Sequence, residues 1–96
     1  MATISLIQHR VADFDAWKAV YDGFRSVQKE RGVRHHHVWR AENDPNMVVV
    51  VHTFDSAEAA HAFFDSAELM GAMAEAGVDP SSVQIQFLEE AAGGAL

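Results

Sequence analysis

Three adjoining stretches decide the fold: VRHHHVWR at residues 33–40, AENDPN at 41–46 and MVVVVHTF at 47–54. The outer two are rich in β-branched and aromatic residues, and the Asp, Asn and Pro between them are turn chemistry, so the segment reads as a β-hairpin closed near Asp44-Pro45. Successive strand residues point to opposite faces, and the run from Met47 to Val51 therefore offers apolar side chains to both sides of its sheet. Such a strand must be covered twice. His35 and His37 share a face with Trp39, while His36 points the other way. His52 falls opposite either His36 or His37, according to the register of the hairpin.

Upstream, Thr3 to Val11 alternates as a strand, with Ile4 and Leu6 on one face and Ser5, Ile7 and His9 on the other. The period then changes. Phe14, Trp17, Val20, Tyr21, Phe24 and Val27 recur at steps of three and four, which predicts one amphipathic helix from an Asp13 cap to Gly32. Downstream, Asp55-Ser56-Ala57-Glu58 resembles a capping box, opening a helical region through Ala60, Phe63 and Phe64. Asp65 and Ser66 break that region before a second piece carrying Leu69, Met70 and Met73, which ends at Gly77. Ser82 to Leu88 is the last strand, and AAGGAL is a frayed tail. The order strand, helix, strand, strand, helix, strand predicts an α+β, ferredoxin-like βαββαβ domain over residues 1–96, with a four-stranded antiparallel sheet and both helical regions on one face. Either Val49 and Val51 or Val48 and Val50 then lie on the uncovered side. A second copy of the sheet is the cheapest cover, so a homodimer is expected.

Ninety-six residues leave no room for a second domain. Seven Lys and Arg against 14 Asp and Glu give a formal charge of -7, which disfavours phosphate backbones and anionic lipid. Neither nucleic acid nor a membrane is expected as a partner. The chain has no cysteine, which removes disulfides, thiolate nucleophiles and zinc-thiolate sites. With no basic leader and no spanning apolar run, it reads as cytoplasmic.

HRVADFDAWKAVYDGF at 9–24, Gly32-Val33 with a strand ending VWR at 38–40, DPNMVVVVHTF at 44–54, ELMGAMAEAGV at 68–78 and FLEE at 87–90 together resemble the dimeric alpha-beta barrel superfamily. Within it they are most similar to small proteins of the antibiotic biosynthesis monooxygenase type. The resemblance implies a sheet-to-sheet dimer with a pocket between sheet and helices in each subunit. In the monooxygenase branch it implies an aromatic polyketide substrate oxidised by molecular oxygen without flavin, metal or haem. Lactone isomerases and polyketide cyclases share the superfamily.

Six histidines are the compositional excess. They serve as hydrogen-bonding groups at a sheet edge or interface, as a base near neutral pH, or as metal ligands, although no carboxylate adjoins the cluster in sequence. His37, His52 and His9, in that order, are the candidate bases. Trp39, Trp17, Tyr21, Phe64, Met70, Met73 and Arg40 are the candidate substrate contacts, with no cofactor and no metal expected. The leading expectation is a cofactor-independent monooxygenase, or a cyclase or isomerase, acting on a small aromatic or polyketide-like metabolite. The alternatives are a non-catalytic binding or structural dimer and a His-ligated metal protein.

Overall fold

The computed structural model describes residues 2–96. Its elements run β1 (Thr3–Arg10), α1 (Phe14–Gly23), α2 (Arg25–Glu30), β2 (Val33–Ala41), β3 (Asp44–Phe54), α3 (Ala57–Phe64), α4 (Ala67–Glu75), a 3-10 turn (Pro80–Ser82) and β4 (Gln84–Leu88). The strands pair antiparallel in the order β2-β3-β1-β4, which is the expected ferredoxin-like sheet. Thr3, Ser5, Ile7 and His9 of β1 and Val48, Val50, His52 and Phe54 of β3 are buried beneath the helices. Val49 and Val51, with Ile4 and Leu6 beside them, are the pair that faces away. The polar face of β1 is thus the buried one, and the more apolar face is open.

The helices follow their local signals with three corrections. Asp13 caps α1 by accepting a hydrogen bond from the Ala16 amide. The single helix expected from Asp13 to Gly32 is instead two, because the chain tightens at Phe24, whose amide donates to the Tyr21 carbonyl. That break shifts the helical phase, so Gln28 rather than Val27 is the buried residue of α2. The cap of α3 is Ser56, which accepts from the Ala59 amide, while Asp55 pairs with Arg34. The last strand starts at Gln84, since Ser82 closes the preceding turn.

The hairpin also departs from the expected turn. It closes over Glu42 and Asn43 with Ala41 opposite Asp44, yet the next pair is Arg40 opposite Val48. Residues 45–47 therefore have no partner on β2, and their number is odd. A one-residue slip in register exchanges the two faces of a strand, and so does any odd insertion. The bulge accordingly places His36 opposite His52 and turns His36, Val38 and Arg40 toward the helices. His35, His37 and Trp39 go to the open face. Asn46, inside the bulge, accepts a hydrogen bond from the Phe14 amide and so meets the first turn of α1.

Ser66 joins α3 to α4: its hydroxyl donates to the Phe63 carbonyl at 2.7 Å and accepts from the Leu69 amide. Because Ser66 is buried, Ser66→Ala is expected to lower stability by about 1–2 kcal/mol, read as a lower urea midpoint with an unchanged slope.

Candidate functional site

The buried polar strand positions converge on a cavity between sheet and helices. Its floor is Ile7, His9, Val50 and His52, one wall is Trp17, Val20, Tyr21, Phe24 and Gln28, and the other is Phe63, Phe64, Leu69, Ala72, Met73 and Ala76. The volume is about 50 Å3. On the outer side, α1 and α4 flank a groove lined by Ala19, Gly23, Ala67, Gly71 and the carboxyl-bearing Glu68 and Glu75. Val20, Phe24 and Ala72 line both spaces and form the partition between them.

His9 and His52 stand at the two ends of the floor. Ser5 pairs with His52 and His9 with Val48, so the two histidines are separated by four residues along the strand, about 13 Å. Above them, Trp17 and Tyr21 stack with ring centroids 4.9 Å apart. Trp17 meets the edge of His9, and Phe63 meets His52 edge-to-face at 5.7 Å. The aromatic packing fixes ring positions; one hydrogen bond fixes the chemistry. The Tyr21 hydroxyl lies 2.9 Å from His52 Nε2 and 3.2 Å from His36 Nδ1.

Among the described residues, His52 Nδ1, both ring nitrogens of His9 and Gln28 Oε1 have no protein hydrogen-bond partner. A cavity of this size leaves them to water or to a ligand group. Burial pushes the imidazoles of His9 and His52 down to about 4, with the nearby His36 and Arg25 acting in the same direction on His52. Both are therefore neutral at pH 7, and holding an added proton there is costly unless another proton leaves. Burial raises the Tyr21 phenol to about 12, so it stays an O–H group throughout the neutral range.

The structure brings together His52, His9, Trp17, Tyr21, Phe64 and Met73 of the sequence candidates, and it separates the others. His37 and Trp39 stack on each other at 5.2 Å on the open face of the sheet, with Trp39 52% exposed, because the hairpin bulge reverses their side. Met70 is 67% exposed on the outer surface of α4. Arg40 faces the helices but sits over the Phe14 ring, 4.3 Å from its centroid, outside the cavity. Arg10 and Arg34 are engaged with Asp44 and Asp55. His36, Gln28 and Phe63 were not among the candidates. Phe63 was legible from helical spacing, whereas His36 depended on the register and Gln28 on the helix break. Among the described residues, no three His, Asp or Glu side chains gather as a metal ion would require.

The sign of the pH dependence follows from the two depressed histidines. The unfolded chain takes up protons below the ordinary value of 6.5, but the folded one does so only near 4. Their contribution is fully present above pH 6.5 and is lost as pH falls toward 4. Each contributes up to about 1.4 kcal/mol per pH unit within that window. His9→Leu, which removes two buried nitrogens without protein partners, is expected to raise stability at pH 7 by about 1–2 kcal/mol and to flatten the acid decline in urea midpoints.

A sequence profile described as antibiotic biosynthesis monooxygenase matches residues 4–75. A comparison with curated proteins finds no sequence match. Among solved structures, a mutant of SnoaB, a cofactor-independent oxygenase from Streptomyces nogalater, superposes with a TM-score of 0.78 at 9% identity, covering 96% of this chain and 95% of that one. A Bordetella bronchiseptica protein gives 0.79 at 12% identity, with 95% and 98% covered. Rv0793 from Mycobacterium tuberculosis gives 0.72 at 14% identity, with 99% and 100% covered. At these identities the structural likeness speaks for the fold; membership rests on the profile, which spans most of the chain. The chain belongs to the antibiotic biosynthesis monooxygenase family.

Proposed function

We propose that the protein is a cofactor-independent monooxygenase of a small aromatic or polyketide-like metabolite, with His52 as the base. The observation that carries this reading is the placement of His52: buried in an apolar cavity, held by Tyr21 at Nε2, and free of any protein partner at Nδ1 among the described residues. A neutral imidazole in such a site takes a proton from a phenol or an activated methylene, and the apolar walls keep the anion from water. His9 at the other end of the floor offers a donor to a second oxygen of the substrate. The carbanion then reduces oxygen: a methylene and O2 give a carbonyl and water, so atoms and electrons balance without a further reductant. The SnoaB likeness is consistent with that chemistry. Cyclisation or isomerisation would share the first step and need no oxygen.

The cavity as it stands is too small for the substrate. A cavity of about 150 Å3 holds benzene, against the 50 Å3 here, so binding enlarges the space, and the partition at Val20, Phe24 and Ala72 is where it adjoins the outer groove. Helix α4 is the element that yields. None of its residues is buried, and it is tied at one end by the ion pair between Glu68 and Arg31.

A panel of phenols and anthrone-like methylene compounds, followed by oxygen uptake and product mass, tests the assignment. Consumption under air but not under nitrogen is expected, with His52→Gln lowering kcat about 100-fold or more while the circular dichroism spectrum is retained. Turnover that persists under nitrogen would replace oxygenation by cyclisation or isomerisation. An undiminished His52→Gln would remove His52 as the base.

The open face of the sheet supports a homodimer. Ile4, Leu6, Val49 and Val51 lie at its centre, and Gln8, Gln84 and Gln86 surround them without a carboxylate. Two chains of formal charge -7 can therefore meet there without like-charge repulsion. Leu6→Lys is expected to convert the dimer to monomer in analytical ultracentrifugation, and a wild-type protein sedimenting as a monomer would overturn the assignment.

A further inference from the structure

His36 has no part in the chemistry described so far, yet it ends a continuous chain of hydrogen-bonding atoms. It is exposed on β2, directly opposite His52 in the register, and its Nδ1 lies 3.2 Å from the Tyr21 hydroxyl. The same hydroxyl reaches His52 Nε2 at 2.9 Å, and Tyr21 itself is buried and stacked on Trp17. We propose that His52, Tyr21 and His36 form a proton relay that connects the cavity to solvent at the surface of β2. The proposal rests on the reading of His52 as the group that exchanges a proton with the substrate. His36 and Tyr21 act through His52 and are positioning residues.

The relay follows from counting hydrogens. A phenol has one proton and sits between two ring nitrogens, so it donates to one and accepts from the other. When His52 Nε2–H donates to the Tyr21 oxygen, the Tyr21 O–H donates to His36 Nδ1, and His52 Nδ1 is left with a lone pair in the cavity. Proton uptake at His52 Nδ1 is then matched by transfer of the Nε2 proton to Tyr21, of the Tyr21 proton to His36 Nδ1, and of the His36 Nε2 proton to water. The three side chains are neutral at the end and every tautomer is reversed, the negative charge resting on the substrate and the positive one in solvent. The reversed chain holds its proton on His52 Nδ1, so the same three groups can return a proton to a bound intermediate. Each bond broken is matched by one formed.

Three further observations fit a conduit. The Tyr21 contact is the one side-chain hydrogen bond of His52 among the described residues, and the wall around it is otherwise apolar apart from His9 and Gln28. A proton therefore has no second protein route out. Partial burial, then the charges of Arg25 on α2, the neighbouring His37 of β2 and Lys18 on α1, disfavour the charged form of His36, while Asp22 acts the other way. These influences favour passage of a proton from His36 to water over its retention there. Burial keeps Tyr21 protonated against the opposing influence of Gln28 and Arg25, with Asp22 acting with burial, so it passes protons on without becoming a stable phenolate.

The relay can be read in the resting protein without any substrate, by nitrogen-15 NMR of the imidazole groups. Solvent exchange of the His52 Nε2 proton is expected to be fast in the wild type. It should slow about tenfold or more in Tyr21→Phe, which keeps the stacking ring, and in His36→Ala. Added imidazole should restore exchange in His36→Ala alone, because only that variant opens the gap at the surface. Equal exchange in the wild type and both variants would overturn the relay, as would exchange that tracks the opening of the Val50 amide on the same strand. The base assignment fails separately. Normal exchange with full turnover by His52→Gln leaves the relay standing and removes the base, whereas unaltered exchange with lost His52→Gln turnover does the reverse.

Discussion

The hydrogen bond between the Tyr21 hydroxyl and His52 Nε2 is the contact on which the interior depends. It satisfies one nitrogen of an imidazole that the sheet has carried beneath the helices, where a charged ring would be costly and an unbonded one still costs about 1–3 kcal/mol per group. A domain of this size is stable by only about 5–15 kcal/mol, so several such groups consume much of the total. The neighbouring aromatic packing offsets that cost. Trp17 holds Tyr21 in place by stacking, and Phe54 and Phe63 enclose His52 from the other side.

The two faces of the sheet invert the usual assignment of polar and apolar residues. On β1, Thr3, Ser5 and His9 go under the helices while Ile4 and Leu6 face out. A core built only for stability would place these the other way round. The arrangement makes sense if both faces end up covered, one by the helices around a polar-floored cavity and one by an apolar contact. Gln28 extends the same pattern into the helix layer, since it is buried with its Oε1 lacking a protein partner among the described residues.

Much of the fold was legible in the sequence because periodicity and punctuation are local. The alternation of Thr3 to His9, the spacing of Phe14, Trp17 and Tyr21, and the break at Asp65-Ser66 each needed only a few neighbouring residues. The site was legible in part. Period alone grouped Trp17 with Tyr21 on one helix face, and His9 and His52 each with its own strand face, but which strand faces lie under the helices came only with the structure. His37 and Trp39 were misplaced because their face is set by the hairpin register, and three unpaired residues at 45–47 reverse it. Polarity could not reveal this, since the histidine run 35–37 reads equally well in either parity. Gln28 was hidden for a similar reason: the break at Phe24 changes the helical phase by an amount that no spacing rule supplies.

One irregularity sets both His36 and the start of the helix that carries the Tyr21 hydroxyl. The bulge at residues 45–47 turns His36 inward, opposite His52, and it also presents Asn46 to the Phe14 amide at the start of α1. Tyr21 lies seven residues beyond Phe14, two turns and about 10 Å along the helix on the same face. The position of the helix start therefore determines where its hydroxyl lands. Had the hairpin closed without the bulge, β2 would have offered His35 and His37 to that face, out of line with His52, and α1 would have lost its anchor at Asn46. Arg10 supports the arrangement from β1, its guanidinium held by Asp44 at the head of the bulged strand, and that pairing keeps the Asp44 carboxyl below its ordinary value. The bulge and the hydroxyl are about two helical turns apart, yet the first supplies the geometry that lets the second bridge two rings.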